Sequence, residues 1–132
     1  MTMTPMTISM MMTKTMMTKT DTFPMYSFRW TTPDGTANIF ITETKPITIS
    51  ITIGKAGTSI AGWAYALSHL VNLALQDHAI EDVTDILTDI TTHQSAYNSN
   101  GVQCRSTPEA VSFALIEYKR IKAKEARGVS GI

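Results

Sequence analysis

The sequence predicts an α+β fold, in which a three-stranded antiparallel meander is followed by three helices packed on one face. Three observations support this fold: short alternating strands in the first half, a helical spacing of apolar residues in the second half, and no intermixing of the two patterns. Chains that segregate strands from helices in this way place the helices against one face of the sheet.

The strand region consists of three short segments with a period of two. Residues 26–30 alternate aromatic and polar side chains, and residues 37–42 alternate in the same way. Residues 47–53 place four isoleucines on one face and Thr or Ser on the other, which is typical of a half-buried strand. The connections at 33–35 and 43–46 are too short for parallel crossovers, so we expect an antiparallel meander.

The first helix is expected directly after the turn Gly54-Lys55-Ala56-Gly57, with Thr58 or Ser59 as its cap. Its apolar residues follow the i, i+3, i+4, i+7 spacing of one buried face. The residues expected on this face are Ile60, Trp63, Ala64, Leu67, Leu70, Val71, Ala74 and Leu75. Those expected on the opposite side are Ser68, Asn72 and Gln76.

Two further helices complete the predicted fold. One is expected from about Ile80, with Val83, Ile86, Leu87 and Ile90 directed inward, and a polar loop follows at 95–101. The sequence Ser106-Thr107-Pro108-Glu109 supplies a capping hydroxyl, a proline in the first turn and an acid that complements the helix dipole. The third helix therefore starts here, and its expected core face is Val111, Ala114, Leu115, Tyr118 and Ile121.

Composition sets the domain organisation and the broad class of protein. Residues 1–25 hold all nine methionines, mixed with threonine, and we expect a leader that is disordered or held by a partner. Residues 26–127 are expected to form one domain and residues 128–132 a flexible tail. A formal net charge of zero gives no reason to expect nucleic acid or a membrane as partner, and a single cysteine fits a reducing, cytoplasmic location.

Several segments together resemble a known family. These are residues 51–58 with the glycine turn, the helix segment 66–75, residues 101–104, and Ser106 to Ala110. They are similar to the TSCPD domain, which occurs at the C-terminal end of cobalamin-dependent ribonucleotide reductases and as small stand-alone proteins. The resemblance covers roughly residues 39–118 and implies a context in nucleotide metabolism. Where members often carry further cysteines this chain has Ser59 and Thr107, which leaves Cys104 alone.

The candidate binding site combines two helix starts. Lys55 lies in a glycine turn with Gly57, and Thr58 and Ser59 bring hydroxyl and N–H groups to the start of the first helix. Arg105, Ser106 and Thr107 offer the same chemistry at the third helix. The alternative interpretation is an ordinary strand-to-helix connection with exposed, solubilising charges. Aromatic residues that can stack on a base are Trp63, Tyr65 and Tyr97, although the spacing of Trp63 favours the core.

The leading functional prediction is a non-catalytic nucleotide- or phosphate-binding protein, of a phage type that sequesters a nucleotide signalling molecule. An accessory or regulatory interaction module of a ribonucleotide reductase is the alternative, with the acidic stretch around Asp85 and the basic third helix as its working surfaces. A weaker alternative is a thiol- or metal-dependent enzyme that uses Cys104 and His93. No metal is expected, because His69, His78, His93 and Cys104 lack the paired spacing of a metal site. No catalytic residue and no cofactor is expected either.

The size of the sheet predicts self-association. Three strands leave two edges and one face uncovered, and oligomers of one chain are the usual solution. We therefore expect a homodimer or a higher homo-oligomer.

Overall fold

The computed structural model describes residues 23–55 and 57–128. Residues 1–22 of the predicted leader and residues 129–132 of the predicted tail lie outside the described residues. Within them the α+β prediction is confirmed, since a three-stranded antiparallel sheet precedes three helices.

The sheet is formed by β1 (Met25–Thr32), β2 (Gly35–Thr42) and β3 (Thr48–Ile53), in the order β1-β2-β3. The register aligns Phe28 with Ile39 and Ile39 with Ile51 across the three strands. Because side chains alternate along each strand, this register collects the apolar residues of β2 and β3 on one face. The buried members of that face are Ala37, Ile39, Ile41, Ile49, Ile51 and Ile53.

Three helices, α1 (Ser59–Asp77), α2 (Ile80–Thr88) and α3 (Thr107–Ala126), share one apolar core with the sheet. In α3 the predicted core residues Val111, Ala114, Leu115 and Tyr118 are buried. Aromatic pairs connect α3 to β1: the ring centroids of Trp30 and Phe113 lie 4.9 Å apart, and those of Tyr26 and Tyr118 lie 5.3 Å apart.

A second, small hairpin is present where a loop was predicted. β4 (Ala96–Tyr97) pairs with β5 (Gln103–Cys104) in antiparallel fashion, so the loop prediction for 95–101 is wrong at residues 96 and 97. The turn is held by Asn98, whose Oδ1 accepts hydrogen bonds from the N–H groups of Asn100 and Val102, each at 2.9 Å. Two-residue strands are too short to produce a period that can be seen in the sequence.

The predicted buried face of α1 is confirmed only in part: Ala64, Val71 and Leu75 are buried as expected. Trp63 and Leu70, which were expected in the core, are exposed, and Ser68, which was expected outside, is buried. The Ser68 hydroxyl accepts a hydrogen bond from the N–H of Ile51 at 2.9 Å. Asn72 binds Ile49 twice: its Oδ1 accepts from the Ile49 N–H at 2.6 Å, and its Nδ2 donates to the Ile49 carbonyl at 2.9 Å.

These hydrogen bonds explain the orientation of α1. β3 lies at an edge of the sheet, where backbone N–H and C=O groups lack a strand partner and are costly to bury. Ser68 and Asn72 satisfy those groups, and this turns the helix by roughly 60° from the orientation that its apolar stripe alone predicts. Ile86 of α2 and Ile90, two residues after the end of α2, were also expected in the core and are likewise exposed.

Candidate functional site

The two predicted halves of the site lie at the same end of the sheet. α1 begins directly after β3, and Ile53, the last residue of β3, lies opposite Ala37 near the start of β2. α3 begins beside the turn between β1 and β2, where the Thr107 hydroxyl donates to Asp34 Oδ2 at 2.8 Å. The fold therefore places the two helix starts at the same end of the sheet, although they are 48 positions apart in sequence (Ser59 and Thr107).

The start of α1 is exposed. Gly54 and Gly57 have φ values of 72° and 87°, which L side chains rarely adopt, so both positions favour glycine. Thr58 is the cap, as predicted: its Oγ1 accepts from the Ala61 N–H at 3.2 Å and donates to the Lys55 carbonyl at 2.7 Å. Within the described residues, the N–H groups of Ser59 and of the next residue have no protein acceptor.

Charge at the start of α1 is positive. Lys55 is exposed, and among the described residues its side chain has no ion-pair partner. The first turn of α1 contains no acidic residue. Since the helix dipole also presents positive potential here, the α1 start favours an anion.

Trp63 lies one helical turn beyond this start. Its side chain is 75% exposed, so the expectation that helical spacing places it in the core is wrong. Residues four apart lie on one face of a helix, so the indole and Ser59 share a side of α1. Tyr65 and Tyr97 are also exposed, and the Tyr65 ring packs edge-on against His69 with centroids 4.4 Å apart.

The start of α3 is occupied by the protein's own groups. Ser106 is the cap: its Oγ accepts from the Glu109 N–H at 3.0 Å and donates to the Ile90 carbonyl. The Glu109 carboxylate is buried and accepts from the Arg105 N–H at 2.7 Å and from the Arg105 guanidinium at 2.6 Å. The hydrogen bond from the Arg105 side chain holds the pKa of Glu109 below its usual value. Arg105, Ser106 and Thr107 therefore all have partners within the chain.

Cys104 and His93 offer little for catalysis. Cys104 is buried, and its Sγ donates to the Ser106 carbonyl at 3.1 Å. Burial raises the pKa of this thiol, which opposes formation of the nucleophilic thiolate. His93 is exposed in the segment before β4. Across residues 23–55 and 57–128, no group of three or more His, Cys, Asp or Glu side chains could hold a metal ion.

The sequence reasoning missed a polar cluster and a cavity at the opposite end of the sheet. Glu43 accepts hydrogen bonds from the Tyr118 hydroxyl at 2.7 Å and from Lys122 Nζ at 3.0 Å. A cavity of about 560 Å³ adjoins it, with His78 among its lining residues. Glu43 and Tyr118 are 75 positions apart, and no local pattern in the sequence indicates that they meet.

No helix within the described residues is both long and apolar enough to cross a membrane. A comparison with family models finds a match to the model described as TSCPD domain, over residues 7–119 of the 132-residue chain. The match begins inside the predicted leader and ends within α3. No curated protein and no solved structure matches the chain.

Proposed function

Because the chain belongs to the TSCPD domain family, we propose that it is a non-catalytic protein that binds a nucleotide through its phosphate at the start of α1. One observation carries this proposal: an exposed tryptophan, Trp63, stands one turn beyond an open, positively charged helix start. TSCPD domains also occur at the C-terminal end of cobalamin-dependent ribonucleotide reductases. This link to nucleotide metabolism supports a nucleotide as the ligand.

The phosphate group would bind at Lys55, Gly57, Thr58 and Ser59. The N–H of Ser59 and the Ser59 hydroxyl are suitable donors, and Lys55 contributes a charge that lacks an ion-pair partner among the described residues. Hydrogen bonds in which one partner is ionised are about twice as strong as neutral ones. Gly57 allows the phosphate to approach the backbone closely. The space beside it is open, since a Cβ added there would meet no atom within 4 Å.

The base would stack on Trp63. One helical turn separates this residue from Ser59, a rise of about 5–6 Å that a nucleotide can span between its phosphate and its base. Base–aromatic stacking contributes about 1–3 kcal/mol for each base and tolerates different bases. On this proposal the protein holds its ligand without transforming it, as a phage-type protein that sequesters a nucleotide signalling molecule would.

Arg105 has a smaller part in the proposed site. Its guanidinium already binds Glu109, and Ser106 and Thr107 are engaged by the helix cap and by Asp34. A phosphate at α1 could attract Arg105 only in competition with Glu109. We therefore assign the main contacts to the Lys55 turn.

Calorimetric titration tests the proposal with a panel of nucleoside monophosphates, nucleoside triphosphates and cyclic dinucleotides. We expect at least one of them to bind, and Lys55→Ala to weaken that affinity about tenfold or more through loss of a charged hydrogen bond. Trp63→Leu should weaken nucleotide binding while leaving the response to inorganic phosphate unchanged.

Lys45→Ala is the matched control, because Lys45 is an exposed lysine at the opposite end of the sheet. It should bind like the unaltered protein. If no nucleotide in the panel binds, or if Lys55→Ala binds as tightly as Lys45→Ala, the proposed site is wrong.

The second candidate function is an accessory or regulatory module of a ribonucleotide reductase. Its support is membership of the TSCPD family. In this case the acidic residues around Asp85 and the basic residues of α3 would bind the enzyme. A pull-down with the reductase of the native host distinguishes the two candidates, because a nucleotide binder need not retain any reductase.

A further inference from the structure

α1 is more apolar than its place in the monomer requires. No Asp, Glu, Lys or Arg occurs between Ser59 and Gln76. The monomer buries one narrow stripe of this helix, formed by Ala64, Ser68, Val71 and Leu75. Helices that are apolar around most of their circumference are normally buried on more than one side.

The uncovered part of α1 continues onto α2. We define the α1–α2 apolar face as Leu67, Leu70, Ala74, Ile86 and Ile90, which line a groove of about 330 Å³ between the two helices. Leu70 is 64% exposed and Ile86 is 66% exposed. The hydrogen bonds of Ser68 and Asn72 to β3 fix α1 in this orientation, so the face cannot be buried by a rotation of the helix.

We propose that a second copy of this chain covers the α1–α2 apolar face, with the two α1 helices packed across a two-fold axis. The face and its neighbour Leu73 offer on the order of 400 Å² of exposed apolar area, within the range of patches that are commonly functional. A standard interface buries about 800 Å² on each partner and surrounds an apolar centre with a polar rim. The face is large enough to be that centre.

Charge requires that α1, rather than α2, lies nearest the two-fold axis. In a two-fold interface each surface meets itself, so a charged surface would meet a like charge. α1 avoids this cost because its sequence from Ser59 to Gln76 carries no carboxylate, ammonium or guanidinium group. α2 contributes Asp82 to the groove lining and carries the exposed Glu81 and Asp85, with Asp89 directly after it, so these acidic residues must lie away from the axis, in the polar rim.

This interface does not depend on the proposed nucleotide site. Trp63 belongs to the helix start and lies one turn before Leu67, at the border of the face. Self-association can be measured without any ligand, and its failure would leave the nucleotide proposal standing.

Light scattering after size exclusion, together with sedimentation equilibrium, tests the inference on the full chain. We expect a mass of twice the 14.5 kDa of one chain. Leu70→Glu should return the mass to 14.5 kDa at the same concentration, because it places two carboxylates in an apolar interface. Ile116→Glu is the matched control: Ile116 is 51% exposed but lies on α3, and its charge should leave the mass doubled.

Cross-linking gives a second measurement that does not rely on a disrupted interface. Leu70→Cys should form a disulfide between copies under mild oxidation, whereas Ile116→Cys should not. Circular dichroism checks that each variant keeps its helices. The inference is overturned if the full chain is monomeric, regardless of whether another segment of the chain covers the α1–α2 apolar face. It is also overturned if the Leu70→Glu variant stays dimeric.

Discussion

The starts of α1 and α3 are similar in sequence and different in structure. Each has a basic residue, a hydroxyl cap and a place at the same end of the sheet. At α3 the chain supplies its own anion, since Glu109 lies in the first turn and binds Arg105. At α1 the first turn holds no acid, and Lys55 is exposed. The comparison indicates that the position of carboxylates, rather than the cap or the basic residue, decides which helix start remains available to an external anion.

The largest expected effect on stability comes from a substitution at the start of α3, where the chain's own groups occupy the helix start. Ser106→Ala should lower the free energy of unfolding by about 2 kcal/mol, because it removes the cap of α3 and leaves the Ile90 carbonyl without its donor. Urea denaturation measures this loss. A loss below that of the matching α1 variant would contradict the distinction between the two starts.

The matching variant at the open start is Thr58→Ala. Thr58 caps α1 but is exposed, so water can replace part of what the hydroxyl provides. We expect a loss of about 1 kcal/mol in the same urea denaturation assay. If this variant also reduced stability as much as Ser106→Ala, the α1 start would be as structural as the α3 start.

The smallest effect is a change in acid stability. The pKa of Glu109 is lowered in the folded chain by Arg105, so its contribution is present above the unfolded pKa of about 4.3 and is lost as pH falls through the folded value. Glu109→Gln should therefore give a shallower loss of stability below about pH 5. Glu43, Glu81 and Glu117, whose pKa values are also lowered, retain part of the slope. Thermal unfolding across acid pH measures the difference, and an unchanged slope would mean that Glu109 is not held in this pair.

Much of the fold follows from local patterns in the sequence. The isoleucines of β3 and the sequence Ser106-Thr107-Pro108-Glu109 predicted a strand and a helix start that the structure contains. The rotation of α1 could not be predicted in this way. It depends on hydrogen bonds between Ser68 and Ile51 and between Asn72 and Ile49, which span 17 and 23 positions and leave no trace in a helical period.

The candidate site shows the same division. Local sequence predicted Thr58 as a possible cap and Lys55 beside it, because turn and helix-start chemistry is short-range. The engagement of Thr107 by Asp34 is set by tertiary contact across 73 positions. The exposure of Trp63 follows from the rotation of α1, so the helical period pointed to the wrong environment.

We expect Asn72 to oppose aggregation of the protein at high concentration. By bonding both the N–H and the C=O of Ile49, its amide takes the place that an added strand would use. A fibril grows by adding strands at both edges of a sheet. Covering one edge interrupts the continuous ladder of backbone hydrogen bonds. By composition, the isoleucine-rich segment of β3 is the most aggregation-prone stretch of the sheet. It lies at the edge that α1 covers. We therefore expect α1 to oppose polymerisation of the protein through the β3 edge.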